Sequence, residues 1–164
     1  MKVVTWNLRS VWKNGDGIND FIHRAGFIYE KIMSEKPSVI AFQEVIPESL
    51  EFLKRVLPEY EFSGNMRSEN YDGEGVFTAF LKEEFILLTS DLFWLSPTPY
   101  VPASRFEDQS IYPRVCLYNK LVYKETKEVF NYFNLHLDHI SQNAMLKGLK
   151  CVFEYIENHQ DCID

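Results

Sequence analysis

Apolar residues recur along this chain with two different periods, one typical of helices and one typical of strands. Between residues 18 and 36 they return every three or four positions, which predicts an amphipathic helix. Apolar runs of strand length, 2–9 and 37–45, flank that helix. A strand, a helix and a strand in this order predict two parallel strands joined by a right-handed crossover.

Prolines and short polar stretches divide the rest of the chain into further elements. Pro47 suits the first turn of a second helix, which Pro58 ends. The apolar pattern predicts two β-hairpins, one turning at Glu83 and Glu84 and the other near Thr126. Strands are expected at 59–63, 75–82, 85–95, 114–125 and 128–139, with polar loops at 64–75 and 96–113.

A third helix is expected over 142–158, with Ser141 as its N-cap. Val152 and Phe153 are among the residues predicted to face the core from this helix. Together these elements predict a single domain, 1–164, of the α/β class (α+β in some schemes). Its sheet should change from parallel to antiparallel pairing.

Composition and charge narrow the function classes. Of the 164 residues, 46% are hydrophobic and 25% charged, which is typical of one soluble domain. The net charge is −7 without a basic stripe, which disfavours non-specific nucleic acid binding, although a bound divalent cation can reverse the local field. The three cysteines form no CxxC pair, which argues against a zinc module. With no secretory signal and no apolar run of membrane-span length, we expect a cytoplasmic protein.

Polar residues occupy strand positions where apolar ones are usual, namely Asn7, Glu44, Asn134 and His136. Because strand side chains repeat every two residues, Asn134, His136 and Asp138 are expected on one face. An unpaired polar group in a core costs about 1–3 kcal/mol, so several such strand ends predict a shared polar crevice. Each residue alone has another interpretation: a carboxylate ending a strand is commonly a turn cap, and a strand histidine is commonly structural.

The ordered set of these residues resembles the endonuclease/exonuclease/phosphatase superfamily, typified by pancreatic deoxyribonuclease. The matching segments are TWNLR (5–9), PSVIAFQE (37–44), FWLSPTPYVP (93–102), YPRVCLYNKL (112–121) and FNLHLDHIS (133–141). The resemblance is closest to small bacterial members. It implies the N-terminal half of a four-layer α/β/β/α sandwich with a mixed sheet, and a phosphate ester as substrate.

By this resemblance, Glu44 matches the metal-binding glutamate, and Mg²⁺ or Mn²⁺ is the implied cofactor. Asn7 matches the asparagine beside that metal. His136 matches the histidine that contacts the scissile phosphate and assists proton transfer. Glu74 matches a carboxylate that orients this histidine.

The remaining implied site residues bind phosphate or support those that do. Arg114 and Asn134 are the expected phosphate-binding residues, and a guanidinium can bind two phosphate oxygens at once. A strand-edge salt bridge is the alternative for Arg114. Asp138 and His139, which complete an HLDH segment, are expected to be supporting residues rather than catalysts.

Two motifs of the superfamily, a GDFN segment and a late Asp–His pair, are not found among the 164 residues. The resemblance therefore implies that a second half is missing, and a lone front half would expose the apolar inner face of its sheet. Leu8, Phe42, Phe80 and Leu137 are the residues expected at or near that face. We expect either the missing C-terminal half or self-association to cover it.

The implied function is hydrolysis of phosphodiesters or phosphomonoesters with a divalent metal. The alternative is a non-catalytic phosphate-binding or assembly domain derived from the same fold, and nucleic acid processing is a third interpretation. Substrate choice is expected to depend on the loops 10–17, 64–74 and 96–113. Trp12 and Tyr71 in these loops are candidates for stacking on a base or a sugar.

Overall fold

The computed structural model describes residues 1–160, and it contains every helix and strand that the sequence predicts, with shifted ends. The strands are β1 Val3–Asn7, β2 Val39–Val45, β3 Tyr60–Met66, β4 Gly75–Leu81, β5 Phe85–Trp94, β6 Val115–Tyr123 and β7 Val129–Leu135. The helices are α1 Phe21–Glu35, α2 Pro47–Val56 and α3 Gln142–Asn158, and a 3₁₀ turn spans Gly17–Asn19. The Ser141 hydroxyl accepts a hydrogen bond from the backbone N–H of Ala144, which confirms the predicted cap of α3.

The strands form two sheets rather than one. The first sheet has the order β1-β2-β4-β3 and the second the order β5-β6-β7. β1 and β2 are parallel, which confirms the crossover through α1, and the other neighbouring strands are antiparallel. The first sheet is therefore mixed as predicted, and β6 with β7 is the predicted hairpin near Thr126.

The predicted hairpin at Glu83 and Glu84 is wrong. β4 pairs with β2 and β3, whereas β5 pairs with β6, so the turn at these glutamates carries the chain from one sheet to the other. β4 is buried along its whole length, as expected for a central strand covered on both faces. The apolar runs of β4 and β5 are compatible with both arrangements, so the sequence pattern did not distinguish them.

The two sheets pack face to face, and helices cover both outer faces. α1 and α2 pack on the first sheet through a core that includes Phe21 and Leu53. α3 packs on the second sheet through Tyr155, and Phe80 meets Phe85 between the sheets. The resulting order of helices, sheet, sheet and helix is that of the α/β/β/α sandwich of which the N-terminal half was predicted.

The exposed sheet face is not found at the residues predicted for it. Leu8, Phe42 and Phe80 have no accessible surface, and Leu137 is half-buried. The chain supplies strands to both sheets, so each sheet covers the inner face of the other. Phe153, which was expected to face the core, is instead exposed on α3. Among residues 1–160, none of the helices is both long and apolar enough to cross a bilayer.

Candidate active site

One polar cavity of about 360 Å³ collects most of the predicted site residues at the ends of β1 and β2. Its lining residues come from strand ends and from the loops that follow them: Asn7, Glu44, Arg67, Glu74, Tyr112, Arg114, His136 and His139. Asn134 and Asp138 are the two predicted residues outside this lining. The crevice expected from polar strand ends is therefore present as a single cavity.

An irregularity in β2 positions Glu44. The pairing of β2 with β4 shifts between Phe42 and Val45, and the Glu44 backbone is left-handed, with φ 53°. Such a conformation costs a non-glycine residue about 1–3 kcal/mol and is concentrated at functional sites. Bulges of this kind re-aim a side chain. Here the bulge places the Glu44 carboxylate in the cavity rather than in the apolar core.

The Glu44 carboxylate is held by two hydrogen bonds. Asn7 Nδ2 donates to its Oε1 at 2.8 Å, and the Ser10 backbone N–H donates to its Oε2 at 3.2 Å. Asn7 Oδ1 accepts from the Arg9 N–H at 2.8 Å, which fixes the orientation of the amide. Partial burial acts to raise the pKa of Glu44, but these hydrogen bonds outweigh it and lower the pKa below the ordinary value. Glu44 is therefore anionic at neutral pH.

Arg114 fixes the state of the His136 ring. A guanidinium can only donate, so the 3.4 Å contact of Arg114 Nη1 with His136 Nδ1 makes Nδ1 the acceptor and leaves the ring proton on Nε2. That Nε2 lies 3.8 Å from Glu44 Oε1. Burial and the positive charge of Arg114 lower the pKa of His136 below its ordinary value of 6.5. A neutral imidazole therefore presents its N–H to the cavity at pH 7.

This electrostatic coupling predicts that Arg114→Gln raises the pKa of His136. Removing a positive neighbour makes the protonated ring less unfavourable, so its protonation moves to higher pH. NMR titration of the ring carbon of His136 in metal-free protein should give a midpoint below 6.5 before the substitution. After it, the midpoint should be higher. Arg55→Gln, on the exposed face of α2, is the matched control and should leave the midpoint unchanged. An unshifted or lowered midpoint in Arg114→Gln would contradict the coupling.

Asp138 lies beneath the cavity and holds Arg114 in place. Arg114 Nε is 3.4 Å from Asp138 Oδ1, and both side chains are almost fully buried. Asp138 also accepts from Ser110 and from the backbone N–H groups of 140–141. Burial acts to raise the pKa of Asp138, but these hydrogen bonds hold it well below its usual range. The ion pair that was the alternative for Arg114 thus exists, and it orients a guanidinium that also lines the cavity.

His139 completes the set of groups around this guanidinium. Arg114 Nη2 donates to His139 Nδ1 at 2.7 Å, which again leaves the ring proton on Nε2. The contacts of Asp138 and His139 are those of residues that support Arg114.

Arg67 is a cavity residue that the sequence did not single out. It follows β3 directly, is 7% exposed, forms an ion pair with Glu74, and lies with its guanidinium carbon 5.4 Å from the Tyr112 ring centre. Glu74 also accepts from Ser10 Oγ at 2.6 Å. The hydrogen bonds of Glu74 thus go to Arg67 and Ser10, and its predicted orientation of His136 stays a prediction. A position directly after a strand could have identified Arg67 from the sequence. It did not, because β3 ends three residues after the expected end at 63.

Asn134 does not take part in the cavity. It is 1% exposed, and its Nδ2 donates to the carbonyl oxygens of Phe42 at 3.2 Å and Phe77 at 3.0 Å. Its Oδ1 accepts from Gln43 Nε2 at 2.9 Å. These bonds tie β7 to β2 and β4 across the space between the sheets. We therefore replace its predicted role in phosphate binding with one in sheet packing.

Comparison with known proteins places this fold. No family model and no curated protein matches the chain. An endonuclease/exonuclease/phosphatase family protein of Bacteroides thetaiotaomicron is similar in structure, with TM-score 0.87 and 29% identity over 94% of this chain and 58% of that one. The mannosyl-6-phosphatase of the same species gives 0.88 and 28%, over 95% and 58%. A functionally unknown conserved protein of Enterococcus faecalis gives 0.90 and 26%, over 99% and 63%.

The helix–sheet–sheet–helix order, with a polar cavity where the strands end, defines a deoxyribonuclease-I-like domain. The chain has the fold of the endonuclease/exonuclease/phosphatase superfamily, as the sequence motifs predicted. It spans between 58% and 63% of the length of these three solved structures.

Proposed function

We propose that this chain supplies the metal- and phosphate-binding part of a divalent-metal-dependent phosphoesterase. One observation carries the proposal: an anionic carboxylate, Glu44, and the guanidinium groups of Arg67 and Arg114 line one cavity, and the neutral His136 lies between Glu44 and Arg114. A cation at the carboxylate and a phosphate at the arginines have complementary charges. The similarity to a mannosyl-6-phosphatase supports phosphoester hydrolysis as the reaction class.

The chemistry of the cavity suits Mg²⁺ or Mn²⁺. Within residues 1–160, no three His, Cys, Asp or Glu side chains are grouped to enclose a metal ion. Mg²⁺ commonly takes only one or two protein carboxylates and keeps several waters, so Glu44 in an open polar cavity is a fitting ligand. Asn7 would hold that carboxylate in its orientation. When bound there, the cation supplies Lewis-acid stabilisation of the phosphate and the leaving oxygen.

The residues of the chain itself bind and orient the phosphate. Arg67 and Arg114 donate to phosphoryl oxygens, and because Glu74 and Asp138 already hold the two guanidinium groups, little reorganisation is needed. The Nε2–H of His136 donates to a phosphoryl oxygen as negative charge develops there. In the reaction, water adds to phosphorus and the bond from phosphorus to the leaving oxygen breaks. The proton lost by the water balances the proton gained by the leaving oxygen.

An assay of the full-length protein tests this function. p-Nitrophenyl phosphate and bis(p-nitrophenyl) phosphate should be hydrolysed with Mg²⁺ or Mn²⁺. Turnover should fall about a hundredfold or more in EDTA and recover when Mg²⁺ is restored. A non-catalytic domain would instead bind inorganic phosphate without turning over either ester. Turnover that EDTA leaves unchanged would contradict the metal requirement.

A further inference from the structure

A second cavity, of about 480 Å³, adjoins the phosphate cavity. Arg67, Glu74 and Tyr112 line both cavities, so the two are neighbours. We propose that the second cavity holds the leaving group of the substrate, and that this group is a neutral polyhydroxy compound such as a hexose. The proposal rests on the phosphoesterase function and names its substrate class.

The position of the second cavity suits a leaving group. Arg67 stands at the boundary between the cavities, and its ion pair with Glu74 keeps its guanidinium fixed there. A phosphate held by Arg67 in the first cavity therefore has the second cavity directly beside it. The group esterified to that phosphate can extend into a space whose volume is typical of small-molecule sites.

The walls of the second cavity combine acceptor oxygens on one side with apolar surface on the other. The loop between β3 and β4 contributes the exposed carboxylates of Glu69 and Asp72. The loop before β6 contributes Ile111 and the ring of Tyr112. Ionised carboxylates are acceptors only, so they match the hydroxyl donors of a polyol. Ile111 and Tyr112 can pack against the C–H groups of the polyol, which do not form hydrogen bonds.

The charge of the second cavity disfavours a polyanionic substrate. Glu69, Asp72 and Glu74 bring three negative groups, and Arg67, the one cation among residues 1–160 that lines the cavity, is already paired with Glu74. Phosphates that flank the scissile one in a nucleic acid would enter this field and be repelled. A neutral leaving group is not repelled by these carboxylates. Charge and hydrogen-bonding capacity therefore favour the same class of compound.

Kinetics on the full-length protein with Mg²⁺ test the proposal. The probes are a hexose 6-phosphate, p-nitrophenyl phosphate, whose ring has no hydroxyl donors, and a single-stranded oligodeoxynucleotide. Glu69→Ala should lower the ratio of kcat/KM for the sugar phosphate to that for p-nitrophenyl phosphate about tenfold, as expected for one lost hydrogen bond to a charged group. Glu83→Ala, in the exposed turn between the sheets, is the matched control and should leave the ratio unchanged.

The outcomes separate this proposal from the one on which it rests. If p-nitrophenyl phosphate is hydrolysed but Glu69→Ala leaves the ratio unchanged, the leaving-group site is refuted and the phosphoesterase function stands. Preferential cleavage of the oligonucleotide would likewise overturn the neutral leaving group. If no probe is hydrolysed, both proposals fail. A KM for the sugar phosphate below that for p-nitrophenyl phosphate, together with the tenfold loss, supports the site.

Discussion

Replacing Glu44 by glutamine in the full-length protein should reduce metal-dependent phosphoester hydrolysis about 10³-fold. The substitution keeps the shape of the side chain and removes the charge that would bind the cation, which is a loss of several kcal/mol of transition-state stabilisation. Steady-state rates at saturating Mg²⁺ measure the effect. The fold should be retained: glutamine keeps one of the two acceptor oxygens that Asn7 and Ser10 use, the Glu44 side chain is 25% exposed, and the left-handed backbone is equally costly for either residue.

Glu51→Gln is the matched control for this prediction. Glu51 is an exposed glutamate on α2, near Glu44 in sequence but outside the cavity lining. It should leave the rate within about twofold. Turnover retained by Glu44→Gln at the level of this control would remove Glu44 from the metal-binding role.

Asn134→Ala should lower the free energy of unfolding by about 3 kcal/mol. The change removes three buried hydrogen bonds, each worth about 1 kcal/mol, although Gln43 Nε2 keeps its bonds to Thr5 Oγ1 and the Ala41 carbonyl. Chemical denaturation of the full-length protein measures the loss. Asn158→Ala, at the exposed end of α3, should change stability by less than about 0.5 kcal/mol.

The same variant distinguishes the two roles considered for Asn134. If its role is to join the sheets, inhibition of the folded enzyme by inorganic phosphate should be unchanged in Asn134→Ala. Unaltered stability combined with weaker phosphate inhibition would restore the role that the sequence predicted and contradict the packing role.

The elements of the fold could be predicted because their signals are local. The helical period of α1 and the proline at the start of α2 act within a few residues, and the structure contains both helices. The assignment of strands to sheets is not local. Whether the chain turns back at Glu83 and Glu84 or crosses to another sheet depends on which strands are free to pair, and the apolar runs of β4 and β5 are compatible with either.

In the candidate site, too, local sequence signals could be predicted and effects of distant strand pairing could not. Asn7, Glu44 and His136 were found because polar groups at strand ends need a shared cavity, and they share one. Alternation also placed Asn134 with His136, but β7 ends at Leu135, so Asn134 stays between the sheets while His136 enters the cavity. The bulge that aims Glu44 depends on register with β4, which no single stretch of sequence reveals.

We propose above all that residues 7, 44, 114 and 136 line one cavity that binds a cation against a phosphate. A crystal structure of the full-length protein, soaked with Mn²⁺ and inorganic phosphate and measured at the manganese absorption edge, tests it most directly. We predict an anomalous peak at the Glu44 carboxylate and a phosphate within hydrogen-bonding distance of Arg114 and His136. Manganese bound elsewhere, with the Glu44 carboxylate free, would contradict the claim.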